Sequence, residues 1–441
     1  MSMFSKLFFS VSVTAFSLGF AQHINTQKLN DYFKALDENH KVMGSFAIAD
    51  KGKIIYTNAV GFADVESKKK ADINTVYRIG SITKTFTAVL VMKAVEDKKL
   101  ALDTKLSYFF PKVENADKIT ISDLLSHRSG IRSYTDNPLY SVYYTQPITK
   151  EKLVEIIEKA GSDFEPGSQF TYSNSNYTLL AYILEKVYKS SYSELVNTFI
   201  AQPLHLKYTK VGGKIDSSKN NAHSYAYEGN TYIKSPETDM SVPGGAGAIV
   251  STPSELIAFM NGLISGKLIS NNSFKTMKQF KDGYGFGLFE MPLNDKKGIG
   301  HNGSIDGFQS GLFYVADGEK TFSMITNQSG YDHQNIFNTL ASAAYGKDIT
   351  IPTFEVVTLS EEELQPLVGT YVTKEMPLKF NIFIKNKTLM AQATGQGEFP
   401  LEATSKTSFK FDMAGITIDF DPAKKLFVIK QGSDATTFTK E

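Results

Sequence analysis

Hydrophobic and polar positions change period several times along the chain, and each change predicts an element. After Lys6, an apolar run from Leu7 to Phe20 ends at Gly19-Phe20-Ala21, with small residues three and one positions before Gln22. This reads as a signal peptide over residues 1–21, because a run this short, broken by serines and a threonine, falls below the roughly 20 residues that span a bilayer. Lys28 to Leu36 follows a helical pattern, and Gly44 to Ala49 and Lys53 to Ala59 flank Asp50-Lys51-Gly52, the signature of a β-hairpin. From Ser81 onward Ile82, Phe86, Val89, Leu90 and Ala94 recur at three- and four-residue intervals, so a buried helix begins at or just before Ser81.

The middle of the chain is mainly helix and loop, with apolar stripes through Leu153, Ile156 and Ile157 and through Tyr177, Leu180, Ala181 and Leu184. Thr252-Pro253-Ser254-Glu255 predicts a capping box with proline in the first helical turn. Strands return at Gly311 to Val315 and Thr321 to Thr326, joined across Asp317-Gly318. Early and late hairpins thus flank a helical insertion, which predicts an α+β domain over residues 22–346 whose antiparallel sheet is completed by both ends. Composition shifts at Gly346 to Pro352, so residues 347–360 are expected to be a linker. Residues 361–441 then carry short alternating segments, Lys379 to Ile384, Thr388 to Ala393, Phe409 to Phe411, Ile416 to Phe420 and Leu426 to Ile429. Their spacing predicts a small all-β domain, a barrel or a sandwich of roughly eight strands. Such a module packs against or shields its neighbour, or holds an apolar ligand; packing is the expected use.

Composition narrows the function classes. With 441 residues, 41% of them hydrophobic, the chain can bury a large core, and 47 Lys plus Arg against 46 Asp plus Glu leave no field of one sign to gather nucleic acid or an anionic membrane. There is no cysteine, which removes thiol chemistry, disulfides and cysteine-bound metals, and no two of the 7 histidines stand at the i, i+4 spacing of a zinc site. No metal and no cofactor are expected, and no span crosses a membrane in the mature chain.

Three short segments carry chemistry. In Ser81-Ile82-Thr83-Lys84 the serine and lysine lie one helical turn apart on one face. A poorly solvated lysine there loses part of its preference for the charged form and can take the proton that an attacking serine gives up; the plain alternative for Ser81 is a helix N-cap. Ser67-Lys68-Lys69-Lys70 has the same spacing but sits in a polar charge run. Tyr172-Ser173-Asn174, after the turn Pro166-Gly167, offers a phenol for proton relay and an amide for substrate binding, whereas Tyr56-Thr57-Asn58 is explained by its strand. In His301-Asn302-Gly303-Ser304 the glycine lets a ligand lie along the backbone, and a nearby N–H could pair with that of Ser81 around an oxyanion.

Together and in this order, the three segments resemble the serine β-lactamase and penicillin-binding superfamily, with its S-x-x-K, Y-x-N and H-x-G elements. Arg78-Ile79-Gly80, Leu124-Leu125-Ser126-His127-Arg128-Ser129-Gly130 and Gly244-Gly245-Ala246-Gly247 look like its class C β-lactamase and D-alanyl-D-alanine carboxypeptidase branch, over most of residues 40–345, with the tail as an added lipocalin-like barrel or sandwich. The resemblance implies Ser81 as nucleophile, with Lys84 and Tyr172 sharing acid and base work. Asn174 would hold substrate and lysine, His301 would join the catalytic set, and Gly303 and Ser304 would bind substrate, the Ser81 and Ser304 amides forming the oxyanion hole. His301 departs from the lysine of many β-lactamases; an unperturbed histidine is only partly charged near neutral pH, which argues against an efficient β-lactamase. The expected activity is an exported D-alanyl-D-alanine carboxypeptidase-like or D-amino peptidase-like hydrolase. An esterase or weak β-lactamase with the same site, and a non-hydrolytic penicillin-binding or scaffold protein, are the alternatives. Partners are a small-molecule or peptide substrate, peptidoglycan stem peptides among them, and the location is periplasmic or secreted; oligomeric state is left open.

Overall fold

The early hairpin and the late strands meet in one antiparallel sheet. The computed structural model describes residues 24–228, 231–354, 357–432 and 434–441, so the signal peptide expected over 1–21 lies outside the described residues. The six strands run in the order Phe289–Leu293, Lys296–Ile305, Phe308–Val315, Lys320–Ser329, Val42–Asp50, Lys53–Val60. Val42–Asp50 is the seam: it pairs on one edge with its hairpin partner and on the other with Lys320–Ser329, Phe46 opposite Met324. Being covered on both faces, this strand reads as a nearly continuous buried run.

On one face lie the terminal helices Thr26–Glu38 and His333–Ala344, with Phe33 stacked on Phe46 at 3.9 Å. The helical insertion covers the other face. At its centre is the helix Thr83–Glu96, which carries buried side chains all round, as a helix enclosed by its neighbours must. It is entered through a 3-10 turn, Gly80–Ile82, in which Ser81 makes no N-cap bond; the expected helix start holds and the capping alternative does not.

The capping box expected at Thr252 forms by half. Thr252 Oγ1 accepts from Glu255 N at 3.2 Å, but the Glu255 carboxylate turns away. It accepts instead from the backbone N–H groups of Lys207, at 2.6 Å, and Thr209, at 2.7 Å, and from the Thr209 hydroxyl. Several donors converging from another loop outcompete the single N-cap amide.

The tail is a closed eight-stranded barrel running from Gly369–Val372 to Asp434–Lys440, and Tyr371 opposite Lys440 closes it. Closure removes both sheet edges and decides for a barrel over a sandwich. Tyr371, Phe380, Phe409, Phe420, Phe427 and Phe438 fill the interior, so the barrel is a packed core. It meets the sheet domain through Lys41, whose ammonium bonds both oxygens of Glu402 at 2.9 Å and pairs with Asp412 at 2.9 Å. Among the described residues no helix is long and apolar enough to cross a membrane.

Lys41→Ala leaves the largely buried Asp412 carboxylate with Lys410 as its remaining ion-pair partner. The expected loss is about 2 kcal/mol of stability, read as a lowered Tm in thermal denaturation.

Candidate active site

Two glycines bring the turn that carries Ser81 against the strand Lys296–Ile305. Gly80 has φ +49, and a side chain there would meet Ser304 N at 2.8 Å; a side chain at Gly303 would meet Ile79 O at 2.1 Å and Ser81 N at 2.9 Å. The Ser310 hydroxyl donates to Ile79 O at 2.8 Å and pins the contact. Arg78, 2% exposed, ties the same turn to the far end of that strand through Asp306 Oδ2 at 2.7 Å and to Thr238 O at 2.8 Å. The backbones of Ser81 and Ser304 therefore meet at one cavity, of about 430 Å³, which both residues line with Asn174, Thr135, Tyr134 and Tyr140.

Lys84 is fully buried. Its Nζ lies 3.0 Å from Ser81 Oγ, 2.8 Å from Asn174 Oδ1 and 2.9 Å from Ala246 O. None of these partners is an anion, and burial holds the amine well below its ordinary value of 10.5. A neutral amine fits the site atom for atom: two N–H groups go to the two carbonyl oxygens, and the lone pair accepts the Ser81 O–H. Tyr172 lies with its ring 4.7 Å from Lys84 Nζ and is kept protonated because burial raises its phenol, with the neighbouring Ser81 hydroxyl acting the other way.

The loop bearing Tyr172 and Asn174 is held by a histidine that motif reading passed over. His127 Nδ1 accepts from Ser173 N at 3.1 Å and from the Asn176 amide at 3.2 Å, and its ring packs 4.3 Å from Tyr172. An accepting Nδ1 places the proton of this neutral ring on Nε2. Its signal in the sequence was a place in the Ser126 to Gly130 stretch, legible as a family marker but not as a role. Asn174 begins the helix Asn174–Tyr188, and Ser133 and Thr135 grip it from the neighbouring loop.

His301 stands apart from what the sequence suggested. It is 1% exposed, its ring lies 4.9 Å from Phe289 and 5.9 Å from Tyr284, and its Nε2 meets the Tyr284 hydroxyl at 3.3 Å. Burial first, and the nearby Lys84 second, push it down to about 3. A histidine partly charged at neutral pH is thus corrected to a neutral one, and no Lys, Arg or His side chain is among the described residues lining the cavity. The two decoys stay clear of the site: Ser67 to Lys70 lies in a turn and the short strand Lys69–Lys70, and Tyr56, in the hairpin, donates to Asn30 of the helix Thr26–Glu38. Among the described residues no three His, Asp or Glu side chains are grouped to hold a metal.

Comparison with known proteins places the chain among relatives of one family. A family model described as beta-lactamase matches residues 29–346. Penicillin-binding protein 4* of Bacillus subtilis (strain 168) is 24% identical over 440 residues, covering 92% of this chain and 97% of that protein. A teichoic acid D-alanine hydrolase of Staphylococcus aureus is 26% identical over 303 residues, covering 64% of this chain and 74% of the other. The solved structure of D-amino acid amidase from Ochrobactrum anthropi SV3 complexed with D-phenylalanine matches with a TM-score of 0.61 at 26% identity, covering 68% of this chain and 92% of that one.

Gly303→Ala should drive the strand off the Ser81 turn, leaving a folded protein by circular dichroism whose serine no longer reacts with a fluorophosphonate. Acid should also loosen the fold. His301 at about 3, His333 at about 4 and His127 are all depressed from 6.5 by burial. Below about pH 6.5 the unfolded chain binds protons that the folded chain refuses. The share of stability that these histidines govern is therefore fully present above that pH and declines toward pH 4, a slope that thermal melts across this window would reveal.

Proposed function

The chain belongs to the beta-lactamase family, a hydrolase fold, and we propose that it acts through an acyl-enzyme on Ser81, cleaving amides or peptides built from D-amino acids. The observation that carries this reading is the buried amine of Lys84 set 3.0 Å from Ser81 Oγ and 2.8 Å from Asn174 Oδ1, with no carboxylate among its partners. Lys84 takes the hydroxyl proton as Ser81 attacks the substrate carbonyl. The Ser81 and Ser304 N–H groups hold the oxyanion, each worth about 3 kcal/mol in such sites. Tyr172, protonated and beside Ser81, passes a proton to the leaving amine, and the same groups run in reverse when water releases the acyl group.

A D-amino acid substrate is supported by likeness to the Staphylococcus aureus D-alanine hydrolase and the Ochrobactrum anthropi amidase. Neutral His301 and a cavity without a cation favour an amide or peptide over a substrate chosen by its terminal carboxylate. The reading is therefore D-amino peptidase-like before carboxypeptidase-like. An ester of D-alanine is the second reading, favoured by the Staphylococcus aureus relative. Action outside the cytoplasm, after removal of residues 1–21, completes the proposal.

Intact-mass analysis of the secreted protein after fluorophosphonate treatment tests both the cut after Ala21 and the nucleophile. One adduct on the wild type and none on Ser81→Ala is expected; labelling of both would remove Ser81 from the mechanism. Lys84→Ala should lower kcat by about 10³-fold without unfolding the protein. The wild-type kcat/KM should climb with pH as Lys84 loses its proton, well below 10.5, and then level. D-Ala-D-Ala peptides with a free and an amidated C-terminus should be cleaved at rates within about threefold, since a lost charge contact would cost more. A strong preference for the free acid would restore the carboxypeptidase reading.

A further inference from the structure

The side chain that Gly303 lacks marks the point where the two halves of the oxyanion hole are joined. A Cβ there would lie 2.1 Å from Ile79 O, 2.6 Å from Ser310 Oγ and 2.9 Å from Ser81 N. Backbone and one hydroxyl therefore fill this space, and neither Gly303 nor Ser310 is among the residues that line the cavity with Ser81. Ser310 stands opposite Gly303 on the neighbouring strand Phe308–Val315 and is 4% exposed. The glycine expected to let a ligand lie along the backbone instead lets Ser310 reach the turn.

The Ser310 hydroxyl has one hydrogen to give, and two carbonyl oxygens lie within its reach. Ile79 O, 2.8 Å away, precedes the Ser81 turn; Gly303 O, 3.4 Å away, belongs to the peptide unit whose other end is the Ser304 N–H. In a planar trans peptide the C=O and N–H point in opposite directions, so a hydroxyl behind Gly303 O holds the Ser304 N–H facing the other way. On that other side Ser304 N comes against Gly80. Ile79 O also receives the closing bond of the 3-10 turn from Ile82 N, but at 3.4 Å that bond is long. Ser310 supplies the shorter one.

We propose that Ser310 is the positioning residue of the oxyanion hole, one hydroxyl that fixes how far apart the Ser81 and Ser304 amides stand; this rests on Ser81 being the nucleophile and those two amides binding the oxyanion. Such donors must meet the oxygen of the tetrahedral intermediate and not that of the ground-state carbonyl, so a small change in their separation weakens the intermediate alone. Acylation and deacylation pass through the same hole and depend on Ser310 alike. The partners of Lys84 lie elsewhere, and its basicity does not depend on Ser310.

The test compares Ser310→Ala and Ser310→Thr with the wild type in three measurements: turnover of D-alanine p-nitroanilide, fluorophosphonate labelling of Ser81, and inhibition by phenylboronic acid, whose tetrahedral serine adduct presents an oxygen to the hole. Ser310→Ala should lower kcat about tenfold with KM held within about twofold, because both chemical steps slow together. Labelling should slow and phenylboronic acid should bind more weakly, each by about the same tenfold factor. The pH at which kcat/KM levels should stay in place, and Ser310→Thr, which keeps the hydroxyl, should recover the activity. A lower Tm with labelling rate and boronate affinity unchanged would show a merely structural serine and overturn the proposal. A raised KM at unchanged kcat would overturn it by moving Ser310 to substrate binding, and a shifted pH profile by moving its effect to Lys84. A wild type that labels at Ser81 beside a fully active Ser310→Ala would sink this proposal alone, whereas a wild type without labelling would remove the nucleophile and this proposal with it.

Discussion

The site depends on one desolvated amine. Lys84 is fully buried with no anion among its hydrogen-bond partners, which are two carbonyl oxygens and a hydroxyl. Burial of this kind penalises the charged form and holds the amine well below its ordinary 10.5, and the rest of the fold serves to keep that burial intact. The helix that carries Lys84 is enclosed on all sides. Gly287 lets a neighbouring segment lie against its backbone, where a side chain would meet Lys84 O at 2.8 Å. An acidic residue beside the amine would restore its proton and remove the base.

Around that amine the fold keeps its other titratable groups neutral. His127 and His301 are uncharged because they are buried. Tyr172 and Tyr284 remain phenols for the same reason. The charge that does exist nearby, Arg78, is neutralised at once by Asp306 and Glu237 and works as a fastener between the Ser81 turn and the end of the strand Lys296–Ile305.

The barrel contributes in another way. Its interior is filled with aromatic rings, leaving its outer surface for contact. That contact falls on Lys41, just before the seam strand of the sheet, rather than on the cavity with Ser81. A packed module fastened to the structural centre of its neighbour braces the sheet on which the nucleophile turn leans.

Periodicity and turn chemistry in the sequence were enough to determine the hairpin at Lys51-Gly52, the helix following Ser81, the meeting of early and late strands, and a tail of eight short strands. They also placed Ser81 and Lys84 one turn apart, because i and i+3 share a face in any helix. Barrel against sandwich was not legible, since closure depends on Tyr371 finding Lys440 at the far end of the tail. Nor was the true partner of Glu255, which local pattern matched to Thr252 and the fold gave to Lys207, Tyr208 and Thr209. The charge of His301, the support role of His127 and the engaged amide of Asn174 belong to tertiary structure alone. Each depends on burial and on hydrogen-bond partners from distant segments, and desolvation is a property of the packed neighbourhood that no stretch of sequence carries by itself.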